Sequence, residues 1–246
     1  MPKFFVKTNQ INKNRITLYE DDVNHIANVL RKQIGEKINI CNMDTSENFL
    51  CKIKEISKEN IECEIIKTLK SETESSIDIT IFQGLPKAEK MELIIQKCTE
   101  LGVNTFVPVQ MERCIVKLDT KSEIKKLDRW KKIAETAAKQ SGRDIIPKVE
   151  NIINLQKLLY SIQKYDIVLL AYENEKENTL KNALNTVKGK ENLKIGVIIG
   201  PEGGIEEKEV EQLVKAGAQR ITLGKRILRT ETVGIVISSI ITYELE

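Results

Sequence analysis

The chain has 246 residues, 41% of them hydrophobic, and 39 Lys and Arg against 36 Asp and Glu leave a net charge of +3. That is enough for one large or two smaller ordinary cores, and a mildly basic balance permits an RNA partner without demanding one. Absence of an N-terminal signal or of an apolar run of membrane-spanning length leads us to expect a cytoplasmic protein with no membrane partner.

Five cysteines (Cys41, Cys51, Cys63, Cys98, Cys114) are odd in number and lack C-x-x-C spacing. They read as reduced, mostly buried thiols, with neither a disulfide frame nor a metal site. The single histidine, His25, excludes His-rich metal sites, and no nucleophile-elbow motif accompanies it for a Ser-His-Asp hydrolase.

Residues 1–70 read as a small β-rich unit. Strands with partial apolar–polar alternation are expected at 4–6, 37–41, 49–56 and 61–66, with turn signals at 42–48 and 57–60. A short helix fits 21–31, with Ile26, Val29 and Leu30 as its apolar side, which makes His25 a packed structural residue. Short strands with one helix suit a small barrel.

The polar stretch 69–76 (LKSETESS) reads as a linker. From residue 77 strands alternate with helices, the mark of an α/β sheet. Strands are expected at 77–83, 105–109 and 166–171. Helices are expected at 91–101, with Leu93, Ile94, Ile95 and Cys98 inward, at 124–141, with Trp130, Ile133, Ala134 and Ala137 inward, and at 179–187.

The organising stretch is 194–232. Residues 194–199 are a β-branched run of the kind buried on both faces of a parallel sheet. The run stops at Gly200-Pro201-Glu202-Gly203-Gly204, where regular structure cannot continue. A helix fits 206–216, with an acidic first turn, an apolar stripe of Val210, Leu213 and Val214, and Gly217 as its C-terminal cap. A strand at 220–223 then runs into Gly224-Lys225-Arg226-Ile227-Leu228-Arg229-Thr230-Glu231-Thr232. Two glycine-bearing loops after parallel-type strands suggest a ligand at the carboxyl edge of the sheet. The first loop is neither G-x-G-x-x-G nor a Walker loop, and Glu202 would repel a pyrophosphate, so a neutral or cationic ligand fits better. The final segment is ambiguous by propensity, but Val233, Val236, Ile237, Ile240 and Ile241 fall on one helical face, with Thr230 as N-cap.

"IGPEGG" followed by "LGKRILRTET" resembles the signature of the bacterial 16S rRNA (uracil-N3-) methyltransferases, the RsmE family within the SPOUT superfamily. The resemblance extends through "KCTELGVNTFVPVQMERC", "RWKKIAETAAKQSGRDIIPKV" and "HIANVLR", so it covers nearly the whole chain. It implies an α/β fold: a SPOUT-type parallel sheet with a C-terminal trefoil knot over 77–246, and a PUA-like, RNA-binding β-barrel over 1–70. It also implies a homodimer and S-adenosylmethionine as cofactor. The substrate it implies is 16S rRNA in the small ribosomal subunit, methylated at N3 of a uridine, position 1498 in the usual rRNA numbering.

Carried onto this chain, the cofactor site comprises Leu170, Ala171, Tyr172, Ile199, Gly200, Pro201, Glu202, Gly203, Gly204, Leu223, Gly224, Ile227, Leu228, Arg229, Thr230 and Thr232. Gly203 is expected to leave space that the ligand fills. RNA is expected to meet His25, Arg31, Lys87, Arg113, Arg143 and Arg226. Uracil N3 is a poor nucleophile until its proton leaves. Arg229 is therefore the expected stabiliser of charge on the base, with Glu231 as a base or, more in keeping with a salt-bridged carboxylate, as an orienter of that arginine. Other readings are a SPOUT enzyme acting on tRNA, whether at ribose or at guanine N1, an inactive RNA-binding ribosome-assembly protein, and a dehydrogenase, which lacks its dinucleotide fingerprint.

Overall fold

A computed structural model describes residues 3–71 and 73–246. Met1 and Pro2 of the expected barrel, and Glu72 of the expected linker, lie outside the described residues. The chain divides into two compact units, residues 1–74 with 138–146, and residues 75–137 with 147–246.

The first unit holds β1 (Lys3–Val6), β2 (Ile11–Asn12), β3 (Arg15–Tyr19), α1 (Asp21–Asn24, continued by a π-helical turn His25–Val29), β4 (Lys37–Asn42), β5 (Asn48–Ile56) and β6 (Asn60–Leu69). These strands form one sheet in the order β1-β4-β5-β6-β3-β2, antiparallel except for the β1–β4 pair. The end strands do not pair with each other, so the sheet is a half-barrel, open along one side. Its concave face buries Phe4, Ile16, Leu18, Ile38, Ile40, Ile53 and Ile61, the inward set of an alternating pattern. Ile26 joins them and His25 sets its ring edge against Phe4 at 5.7 Å, as a packed histidine should. Val29, expected on the apolar side, is 65% exposed, because the π turn rotates it away from the helical face.

Residues 138–146, expected within the α/β domain of 77–246, fold with this first unit. Ala138 packs with Phe5, Cys41 and Ile146. Arg143 pairs with Glu74 at 2.7 Å, Asp144 takes bonds from Lys3 and Ser71, and Lys139 reaches Asp22 at 2.8 Å. The Arg143 side chain is 4% exposed and that of Asp144 1%. Burial alone would raise the Asp144 carboxyl, but the Lys3 and Ser71 bonds outweigh it and hold it below its ordinary range.

The second unit runs β7 (Asp78–Gly84), α2 (Lys90–Glu100), β8 (Thr105–Gln110), α3 (Thr120–Ser141), β9 (Lys148–Val149), β10 (Ile153–Asn154), α4 (Leu155–Ile162), β11 (Ile167–Ala171), α5 (Leu180–Asn185), β12 (Lys194–Ile199), α6 (Glu207–Lys215), β13 (Gln219–Ile221) and α7 (Thr230–Leu245). Its seven strands are all parallel, in the order β10-β8-β7-β12-β11-β13 with β9 beside β8. The apolar run of β12 is buried from Ile195 to Ile199, sandwiched between β7 and β11. Two inward assignments change. Leu93 of α2 is 41% exposed and Val214 of α6 39%, because each sits one step past the edge of its buried stripe. Val233, Ile237 and Ile241 bury the face of α7 that the spacing indicates.

Parallel strands bring all their carboxyl ends to one edge, and β7 and β12 lie side by side where the order of connection changes direction. Such a switch point opens a crevice for a ligand.

Candidate functional site

At that edge lies a cavity of about 560 Å³. Ala171, Tyr172 and Glu173 come to it from the end of β11, residues 199–205 from β12, residues 221–230 from β13 and the start of α7, and Lys90 from the first residue of α2. Of the expected cofactor residues, fourteen line it: Ala171, Tyr172, Ile199, Gly200, Pro201, Glu202, Gly203, Gly204, Leu223, Gly224, Ile227, Leu228, Arg229 and Thr230. Leu170 and Thr232 do not. Leu170 is fully buried in the sheet, paired with Ile198 and Arg220, so it supports the wall from behind. Thr232 lies in the first turn of α7 but, unlike Thr230 and Val233 beside it, does not reach the cavity.

The walls are held by close backbone contacts. A Cβ on Gly84 would sit 2.6 Å from Pro201 Cδ and 2.7 Å from Pro201 N, so β7 and the 200–204 loop approach only because residue 84 has no side chain. Gly204 adopts φ +72, which closes the loop back toward α6. Gln83, fully buried, donates to Gly84 O at 3.0 Å and to Thr230 Oγ1 at 2.8 Å, and Thr230 Oγ1 donates to Gly200 O at 2.7 Å. Thr230 therefore does not cap α7. Arg229 takes the N-cap position without a side-chain cap bond, and the threonine hydroxyl ties the two loops instead.

Charge is concentrated at Lys90. Its Nζ is 2.9 Å from Glu202 Oε1 and 3.4 Å from Glu231 Oε2. The Lys87 amide also donates to Glu202, at 3.0 Å. The bond to Glu202 raises the Lys90 pKa. Burial pulls the Glu202 carboxyl up, but Lys90 and the Lys87 amide win and leave it below the ordinary range. Both groups are thus charged at neutral pH. Glu231 pairs with Lys90 and not with Arg229, which is exposed on the cavity rim and has no ion pair among the described residues.

Arg113 braces the loop from outside, donating to Glu206 at 2.8 Å and to Gly203 O at 3.1 Å. A Cβ on Gly203 would meet Arg113 Cβ at 3.3 Å, so the glycine lines the cavity with its backbone while a side chain there would point at the brace.

Among the residues expected to meet RNA, Arg31, Lys87 and Arg226 are exposed and Arg226 lines the cavity. His25 is half-buried and Arg113 is engaged as described. Arg143 is corrected: it is buried and paired with Glu74, with no surface to offer a substrate. Lys90, Glu173, Thr222, Lys225 and Val233 line the cavity without having been singled out for the cofactor, and Gln83 lies just beneath. The position of Gln83 at a strand end before Gly-Leu-Pro was a usable signal. Lys90 had none, since its two partners, Glu202 in the 200–204 loop and Glu231 at the start of α7, are distant in the chain.

Among the described residues no group of three or more His, Cys, Asp and Glu is placed to hold a metal, and no helix is long and apolar enough to cross a membrane. The cavity suits S-adenosylmethionine. Its volume lies in the range of small-molecule sites, Ile199, Leu223 and Leu228 offer apolar walls, and Glu173 and Glu202 bring negative charge to a cationic ligand.

An RNA methyltransferase domain family matches residues 73–242, and an RNA methyltransferase PUA domain family matches residues 18–66. Ribosomal RNA small subunit methyltransferase E of Bacillus subtilis is 39% identical over 92% of this chain and 89% of its own. The protein of that name from Mesomycoplasma hyopneumoniae is 34% identical over 96% of each chain. The crystal structure of ribosomal RNA small subunit methyltransferase E from Neisseria gonorrhoeae, bound to S-adenosyl methionine, matches with a TM-score of 0.86 and 31% identity over 99% of this chain and 97% of that one.

Proposed function

This chain belongs to the RNA methyltransferase family of the ribosomal RNA small subunit methyltransferases E, and on that footing we propose that it methylates N3 of a uridine in 16S rRNA with S-adenosylmethionine as donor. The observation that carries the reading is the cavity at the carboxyl edge of the parallel sheet, walled by the two loops whose residues spell IGPEGG and LGKRILRTET. The bound cofactor supplies an electrophilic methyl group on a sulfonium. The chain supplies position: the Gln83–Thr230–Gly200 bonds fix the loops against each other, so that a nucleophile and the methyl group meet in near-attack geometry. Arg229 and Glu231 are the side chains we assign to the substrate end of the site, neither of them in contact with the reacting atoms. Arg229 stands exposed where a nucleic acid arrives, and Glu231 acts through the lysine beside it.

We assign the holding of structured RNA to the PUA-like half-barrel expected at 1–70, with which residues 138–146 fold, and transfer to the rest of the expected 77–246, a SPOUT-type domain. The working form is a cytoplasmic homodimer. Ile235, Val236 and Ile240 on α7 remain only half-buried in the single chain, an apolar surface suited to a partner copy. Light scattering at micromolar concentration is expected to give twice the mass of the chain, and a monomer would refute the dimer.

The function is tested on small subunits from a strain lacking this gene. They should accept one labelled methyl at uridine from the purified protein, whereas mature wild-type subunits should not. Label on tRNA, or equal label on both kinds of subunit, would overturn the substrate.

A further inference from the structure

Resting on the proposed uridine methylation, we propose that Lys90 is a catalytic residue, whose ammonium takes the negative charge that forms on a uracil carbonyl oxygen as N3 loses its proton. An ammonium carries three N–H donors. Glu202 engages one at 2.9 Å, and Glu231 stands at 3.4 Å without a well-formed hydrogen bond to its buried Oε2. Lys90 lines the cavity, so it has donor capacity left facing the ligand space.

Three features separate Lys90 from an ordinary surface lysine. It opens α2, where the helix dipole disfavours a cation, so helix formation does not explain its place. Two carboxylates, Glu202 from the 200–204 loop and Glu231 from the first turn of α7, flank its head, which restrains a flexible side chain before any substrate arrives. Its side chain is only 31% exposed, so the charge acts in a partly water-excluded place where a fixed donor is worth most. Arg229 has none of these constraints. It is exposed and unpaired among the described residues, as suits a contact to the RNA outside the reacting base. Glu231 does not line the cavity and touches Lys90, so it orients the lysine instead of meeting the base.

The step balances without a further reactant. The N3–H bond breaks and its proton passes to solvent water. The electron pair left on N3, delocalised onto the carbonyl oxygen beside Lys90, forms the bond to the methyl carbon. The carbon–sulfur bond breaks with its pair going to sulfur, which turns a sulfonium into a neutral thioether. Lys90 keeps its protons throughout. Its contribution is to make N3–H more acidic while the base is bound.

The test uses full-length Lys90→Met, Lys90→Arg, Glu202→Gln and the double variant Lys90→Met with Glu202→Gln. Single-turnover methylation of small subunits from the deletion strain is read across pH, and cofactor affinity by calorimetry. Lys90→Met should lower the rate about 100-fold, as removal of one transition-state donor does. Its rising limb with pH should move upward by about 1–3 units, the shift expected when a neighbouring cation is lost. Lys90→Arg should recover part of both. The double variant keeps the net charge of the cluster, so at saturating cofactor it should still transfer slowly, although loss of Glu202 weakens binding of the cationic cofactor. If Lys90 is only a structural counter-ion, the double variant regains the wild-type rate and the pH limb does not move, and either result overturns the proposal. A Lys90→Met enzyme as fast as wild type overturns it alone, whereas a wild type that leaves uridine unmethylated overturns the function as well.

Discussion

Two clusters of lysine or arginine with carboxylates, one in each unit, use the same residue types to opposite ends. In the first unit Arg143 meets Glu74 and Lys3 meets Asp144, with every side chain nearly closed to water and the partners matched. In the second, a single Lys90 faces both Glu202 and Glu231 at the edge of a cavity, with donor capacity left toward the ligand space and a buried carboxylate oxygen lacking a hydrogen bond. A satisfied buried pair has nothing left to give a ligand and serves to fix the fold. An anchored but unsaturated one is a reservoir for chemistry. The difference lies in how many donors and acceptors each cluster leaves unused.

The comparison breaks most visibly at Arg143. Arg143→Ala should cost about 3–5 kcal/mol of stability by leaving buried carboxylate uncompensated. Urea unfolding of the full chain would read this as an early transition, and Arg143→Lys should recover only part, since the guanidinium uses both Nε and an Nη on Glu74. An unchanged midpoint would show that the pair is not structural.

Gly84→Ala sharpens the comparison at the cavity. The added methyl falls on the Pro201 backbone, and overpacking of this kind costs about 1–3 kcal/mol. Since each 1.4 kcal/mol is tenfold, cofactor affinity by calorimetry should fall by roughly ten-fold while the first unit unfolds as before. Wild-type affinity would mean that the two walls need not touch.

A pH test is milder. Glu202 has a lowered folded pKa, so its contact with Lys90 contributes fully above the ordinary glutamate range and is lost as pH falls through the depressed value. Thermal melting of wild type against Glu202→Gln should therefore differ at pH 7 and converge under strongly acidic conditions. A difference that persists there would remove the ion pair as its cause.

The smallest effect is expected at Gly203. Gly203→Ala meets only Arg113 at 3.3 Å, which can yield by a few tenths of an ångström, so cofactor affinity should stay within about three-fold of wild type. A tenfold loss would mean that this position does face the ligand.

Much of the architecture was legible because it depends on local period. The β-branched run of β12 and the 3.6-residue spacing of α7 each specify an element and its buried face. Short pieces escaped. The two-residue strands β9 and β10 carry no period at all, and they exist only because β8 offers them an edge. Helix α4, absent from the expected elements, does carry a local signal: Asn154 accepts from Lys157 N as its cap, and Leu155, Leu158, Leu159 and Ile162 share a face.

For the candidate site, the sequence by itself determined the two loops, because glycine and proline at 200–204 and a basic, apolar run at 224–232 restrict the backbone wherever they occur. It also determined that α7 would be a helix with one buried face. Only the tertiary structure decided which charges serve the site. Arg143 and Lys90 are both single basic residues near an element end, alike in any local window. One is closed off by Glu74 and the other is held open by Glu202 and Glu231, partners far away in the chain. A charged group's role follows from its burial and its unused hydrogen-bonding capacity, and neither quantity exists until distant segments have met.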